Sequence, residues 1–452
     1  MRRPTIALCA LVVALGFAEP SSAIILYYSN GYLELYWWGS DPDPAYYVFD
    51  DQDGDLWLRE PGLWDARYQR YGGGSADIPE VSAYSMYSGT FHLMLRGRSP
   101  TRTCYFNNVN TPENEVELLL LEGGSVRPGV TFLAPNSDIV DSRIEGNVAG
   151  TIDVRRIAHE VAAHDLTIEG NLTGVCHARN QLTADAKLWI KGDVRDGGKL
   201  VIDGDVNGQI DIDGSVINSS GVEIDIGGKL ASSGVLDIGL DLTGNVAVAG
   251  DIEAGIAIGH EVSGTIETQG TLTGTVTIGH GLSGEITAGQ NLSGDILAGQ
   301  VLSGEIATPG NMYSGARIEV GSVAATGSVD VSGRMYGDID VDGSFSGSIT
   351  VGQDLMSAGD ITLGSMADGS QVAIGEDLAG EITVAGGVSG ALDVFESLGQ
   401  GGSITVGSMT SGSNSRVRVY KGHSGQVAVS GDMDSLIQLN YAMGNTVAFQ
   451  CK

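Results

Sequence analysis

Between Leu242 and Thr308 the chain repeats every ten residues, seven times without a slip. Three consecutive units, GLSGEITAGQ, NLSGDILAGQ and VLSGEIATPG, run from Gly281 to Gly310. A short fixed period restricts a chain to stacked architectures, because each unit must bury its apolar residues against copies of itself. With Leu282 at position two, Gly284, Ile286 and Ala288 hold positions four, six and eight. These share one parity, and strand side chains alternate between faces. Leu, Gly, Ile and Ala therefore face inward, and Ser283, Glu285 and Thr287 face water. Gly289, Gln290 and Asn291 suit a turn, since Gly and Asn accept positive φ. Gly284 has two readings: a tight bend, or an inward gap that receives a large side chain from the facing sheet.

A helical repeat competes poorly, because Gly at this density would cost about 1 kcal/mol per residue in a helix. Stacked strands instead pair every backbone N–H and C=O with the coils above and below. Two units make a coil of about twenty residues with two facing sheets; three make about thirty. Gly284 and Ala288 are too small to fill a wide three-sided lumen, which favours twenty. Leu282 then stacks between Val262 and Leu302, and His260 and His280 share a corner, about 4.8 Å apart along the axis. On a thirty-residue coil Leu282 would stack against Ile252 and Met312.

Outside this stretch the pattern loosens. It begins irregularly after Ser125, with Ile144, Val148 and Ile152, and returns as Phe345–Val351 and Val388–Val394. Insertions such as Asn218–Gly221 and Ser357–Gly359 are expected at corners, where loops protrude. Residues 24–125 differ in kind, holding eleven of the fifteen Tyr and four of the five Trp. Tyr27–Tyr36 reads as a hairpin turning at Asn30-Gly31. Tyr46–Phe49 and Leu56–Leu58 read as a second. Phe91–Leu95 and Val116–Leu121 add strands. The expectation is an all-β chain: a leader at 1–23, a small β-rich capping domain at 24–125, and a parallel β-solenoid at 126–452. The cap would cover the open strand edge that a solenoid otherwise presents.

Arg2 and Arg3, the apolar run Thr5–Ala18 and small residues ending at Ala23 read as a secretory signal peptide, cleaved near Ala23. The run is too short to span a membrane. Export permits disulfides. Cys104 with Cys176 is one candidate pair, and Cys451 could bridge two chains; spacing does not choose. The formal net charge is −32. Such a surface repels phosphate backbones and argues against nucleic acid as a partner.

Chemistry is sparse. Asp51, Asp53 and Asp55 alternate around Gly54 like the opening of a calcium loop, but Gly62 stands where an EF-hand needs its Glu. They are the only candidate metal ligands, and calcium the only candidate cofactor. His159 and His164 lie five apart, one too many for a zinc-protease helix. No catalytic residue emerges. Outward Asp and Glu recur as repeat decoration, so a glycosidase-type acid pair does not stand out. Thr-x-Thr occurs only at Thr275–Thr277, which disfavours ice binding.

The pattern L-S-G-x-I-x-A-G, from Leu282 on, resembles the decapeptide repeats of exported bacterial β-solenoid surface proteins. More loosely it resembles the bactofilins, whose coils polymerise into filaments. The resemblance covers about residues 200–430 and implies no catalytic residues. The expectation is a secreted, non-enzymatic structural or adhesive protein of the cell surface or matrix, with glycans, cell-surface components or further copies of itself as partners. The alternative is a polysaccharide-active lyase or hydrolase on a β-helix scaffold. Acids spread over every coil favour the former, and acids gathered in one groove the latter.

Overall fold

The computed structural model describes residues 123–158, 165–217 and 221–439, Cys104, residues 115–121, and strand backbones between 22 and 121. It is all-β, a parallel β-solenoid averaging ~22 residues per turn. Two compact units divide it, Met1–Asp211 and Ile212–Lys452.

In the second unit the decapeptide becomes half a coil. Thr265–Thr268 pairs in parallel with Glu285–Ala288, and that strand with Glu305–Thr308. On the facing side Gly255–Ile258 pairs with Thr275–Ile278, and that strand with Asp295–Leu302. Leu282 bridges Val262 and Leu302, and Leu272 bridges Ile252 and Leu292. The coil here is therefore twenty residues, and thirty is excluded. Positions two, six and eight line the interior: Leu282, Ile286 and Ala288 are all buried. Thr268 and Thr308 also sit at position eight and are buried. Their hydroxyls donate to the corner carbonyls of Gly250 and Gln290, which removes the penalty for burying them.

Of the two expectations for Gly284, the bend is the one found, and a steric demand for Gly is added to it. A Cβ there would lie 1.8 Å from the carbonyl oxygen of Gly264, its equivalent one coil earlier. Gly264 meets Gly244 in the same way at 1.7 Å, and Gly304 meets Gly284 at 1.8 Å. Successive coils thus touch backbone to backbone at this position. The requirement for Gly is steric and comes from the coil before it.

The average exceeds twenty because some corners carry an inserted β-turn. Leu292 reaches the strand at Asp295 through two residues, whereas Met312 reaches Arg317 through four. The added turn closes with Ala316 N–H donating to Tyr313 at 3.1 Å, and Gly315 takes φ 90°. The insertion at Ser357–Gly359 is the same device, closed by Gly359 N–H on Met356 at 2.9 Å.

In the first unit, Thr131–Ile139 pairs with Thr151–Ile157, which pairs with Val175–Ala178 and then Lys199–Ile202. Ser142–Ile144 pairs with Leu166–Ile168, and that strand with Lys187–Ile190. Thr151 to Val175 is a step of twenty-four. The turn from Arg195 to Gly198, with Asp196 at φ 54° and Gly197 at φ 91°, lengthens the next coil, where Val175 pairs with Lys199. Positive φ at both central residues makes it a type I′ turn.

Cys104, Phe132, Ile152 and Cys176 fall in one column on successive strands. Two residues stand between the two thiols, roughly 14 Å along the axis. A disulfide needs Cα atoms within about 7 Å. The candidate pairing of Cys104 with Cys176 is therefore wrong.

Among the earlier strands, Ser22–Ser29 with Tyr32–Gly39, and Tyr46–Asp50 with Leu56–Arg59, form the two expected antiparallel pairs. Parallel ladders also run through this region, as Gly89–Arg96 on Asn114–Leu121. They continue past residue 125 through Cys104–Asn108 on Thr131–Ile139. The leader up to residue 21, the loop holding Asp51, Asp53 and Asp55, the segment His159–His164, and Cys451 lie outside the described residues.

Candidate functional site

The inward residues are spent on packing, so any site lies on outward side chains and corners. Outward carboxylates and amides there have a recurring use. Asn291 Oδ1 accepts from the N–H of Asn311 at 2.9 Å, and Asn311 Oδ1 accepts from that of Arg334 at 2.8 Å. Asp251 accepts from Thr271 N–H at 2.7 Å, and Asp377 from Ser397 N–H at 2.9 Å. The first unit repeats the device: Asn147 accepts from Asn171 and Asn171 from Asp193, both at 2.8 Å. Each acceptor satisfies a corner N–H that the strand ladder leaves unpaired.

Other acids meet bases on a neighbouring coil. Asp138 is buried between Arg155 and Arg156, accepting from Arg155 at 2.7 Å through both carboxylate oxygens. Arg156 donates to Asp138 as well, and its own hydrogen bond there is the main cause holding its guanidinium above the usual range. Asp393 is likewise buried under Arg416, at 2.6 Å. Among the described residues, no group of three or more His, Cys, Asp or Glu is arranged to hold a metal ion.

The residues singled out from sequence scatter. Cys176 is fully buried, and burial pushes its thiol up to about 12. Its neighbour His177 points outward, with Nε2 3.0 Å from Asp203 and Nδ1 3.6 Å from Asp153. His260 and His280 do share a corner, with ring centroids 5.0 Å apart and planes within 13°. Asp241 lies 3.8 Å from His260 Nδ1.

Two aromatic pairs escape the sequence reading. They lie on the bend marked by Met312, Met335, Leu355, Leu378, Leu398 and His423, which bridge one another on successive coils. Tyr313 and Tyr336 follow the first two, and their rings stack at 6.4 Å. Phe395 and Tyr420 enter the same bend after the strands Ala391–Val394 and Arg416–Val419, and stack at 5.1 Å within 15°. In each pair the second ring is a tyrosine held by the arginine two residues before it. Arg418 donates to the Tyr420 hydroxyl at 2.8 Å, its guanidinium 5.2 Å from the ring centre. Arg334 bonds Tyr336 and meets Asp354 at 3.0 Å, and these two partners, in that order, raise its pKa. The R-x-Y tripeptides at 334–336 and 418–420 were the available signal.

No known protein family, curated protein or solved structure matches this chain.

Proposed function

We propose that the chain is an exported, non-enzymatic scaffold, structural or adhesive, of a cell surface or extracellular matrix. The observation that carries this reading is the use of its outward acids and amides. One coil after another, they accept corner N–H groups or pair with bases on the next coil, as Asn and Asp at 251, 291, 311 and 377 do. Residues so employed hold the stack together. Export follows from the leader cleaved near Ala23, and residues 24–125 act as the cap on one strand edge. Asp51, Asp53 and Asp55 are the calcium ligands of this reading, and glycans, cell-surface components or further copies of the chain its partners.

One observation favours the alternative, a polysaccharide lyase or hydrolase. Burial pushes the Asp338 carboxyl up, and the charges of Asp360 and Asp340 add to the shift. A raised carboxyl beside an ionised one is what a general acid requires. The test is incubation of the purified mature chain with neutral and acidic polysaccharides, assayed for new chain ends. The scaffold reading expects none. Cleavage abolished by Asp338→Asn would establish the enzyme instead. Calcium titration of the same material, with and without Asp51→Asn and Asp53→Asn, checks the metal.

A further inference from the structure

We infer that the bend carrying Tyr313, Tyr336, Phe395 and Tyr420 binds a linear neutral glycan laid along the solenoid axis. This rests on the scaffold reading and names its partner. Among the described residues, the large exposed apolar side chains include two aromatic rings, Tyr313 at 43% and Phe395 at 42%. Both occur on this bend, although the coil offers two bends and many outward strand positions. The bend spans five coil steps from Met312 to His423, about 24 Å at ~4.8 Å per step.

Each exposed ring is supported. Tyr313 is backed by Tyr336 and Phe395 by Tyr420, one coil further on. The coil before each pair carries a small residue at the equivalent corner: Ser293 before Tyr313 and Gly375 before Phe395, linked by the hydrogen bonds that set this register. The outer face of the first ring in each stack is left with little over it. A sugar ring presents C–H bonds on its faces and hydroxyls at its edge. An aromatic face takes the former without losing rotamer freedom, since the stack already holds it.

Groups for the hydroxyls lie beside the rings. Arg334 and Asp354 stand next to Tyr336. Arg418 lies against Tyr420, and its Nε is buried with no hydrogen-bond partner. The charge of the partner follows from the whole chain: a net −32 opposes a polyanion and leaves neutral sugar as the fitting class.

The stacks could serve only to brace successive coils, and the test separates these roles. The full mature chain is titrated with soluble neutral hexose oligosaccharides long enough to span the bend, with a polyuronate as the charged comparison. Cleavage of the probe is followed in the same samples. The expected result is saturable binding of a neutral probe without cleavage. The double variant Tyr313→Ser/Phe395→Ser should bind about tenfold more weakly at unchanged melting temperature. Tyr313→Phe should keep the affinity, because the ring face is retained. Binding that is absent, or equal in the double variant, overturns the inference and leaves the scaffold reading standing. Preference for the polyuronate overturns it too. Cleavage overturns the scaffold reading itself.

Discussion

From Gly255 to Thr308 a coil takes twenty residues, and successive coils meet through glycine. From Thr131 to Ile202 the step is twenty at first, Thr131 on Thr151, and twenty-four after it, and ion pairs are added to the joints between coils. Glycine presses backbone on backbone in both: a Cβ at Gly284 or Gly304 would lie 1.8 Å from a carbonyl oxygen of the coil before, and one at Gly174 1.9 Å. In the second, Arg155 and Arg156 hold Asp138, Arg179 meets Asp153 at 2.6 Å, and Lys191 meets Glu169 at 2.8 Å. The inner columns are alike in kind: Val262, Leu282 and Leu302 in one, Phe132, Ile152 and Leu200 in the other, all buried. Inward packing therefore defines the solenoid, and the ion pairs are added to a glycine joint that both stretches share. Glycine serves wherever a corner leaves no room for a Cβ, at steps of twenty and of twenty-four alike.

The largest expected effect breaks the glycine joint. Gly284→Ala should destabilise the chain by about 3 kcal/mol or more, because the added Cβ meets backbone and not a movable side chain. Gly255→Ala is its control: the nearest atom there is the Thr275 oxygen at 3.9 Å, so stability should change by less than about 0.5 kcal/mol. Denaturant unfolding of both variants reads the difference. Next comes the ionic joint. Asp138→Asn leaves two guanidinium groups facing one weakened acceptor, for a loss of about 2 kcal/mol, discounted because both arginines reach solvent. A loss equal to that of Gly284→Ala would make the two joints equivalent.

The smallest loss among the joints concerns the corner ladder. Asn311→Ala removes the acceptor for Arg334 N–H, and should cost about 1 kcal/mol. A pH effect sharpens the account at the Met312 bend. Burial lowers the pKa of His423, which bridges Leu398 in the inner column, below its ordinary 6.5. The unfolded chain then binds the proton first as pH falls. Stability is complete above about 6.5 and declines below it, toward the lower folded value. His423→Leu should flatten that decline in melting temperature between neutral and mildly acidic pH.

Much of this was legible because parity survives translation into structure. Leu282, Ile286 and Ala288 had to share a face, and the smallness of Ala288 favoured the narrow coil that put His260 beside His280. The reason for Gly284 was not legible, since the atom it avoids belongs to a residue twenty positions away. The ion pairs and aromatic stacks were hidden for a related reason. Tyr313 and Tyr336 are twenty-three apart, and Phe395 and Tyr420 twenty-five, because inserted turns lengthen those coils. A search at a strict period of twenty passes over both. Cys104 and Cys176 misled in the opposite direction: they share a column, but with Phe132 and Ile152 between them.

Cysteine cross-linking tests the twenty-residue coil most directly. Thr265 and Glu285 are register partners on adjacent coils, with Cα atoms about 4.8 Å apart, inside the range of a disulfide. In a Cys451→Ser background, Thr265→Cys/Glu285→Cys should oxidise readily to an intramolecular disulfide. The pairs Thr265→Cys/Thr275→Cys and Thr265→Cys/Asp295→Cys should not. Efficient closure of 265 with 295, and none with 285, would mean a thirty-residue coil and contradict the account.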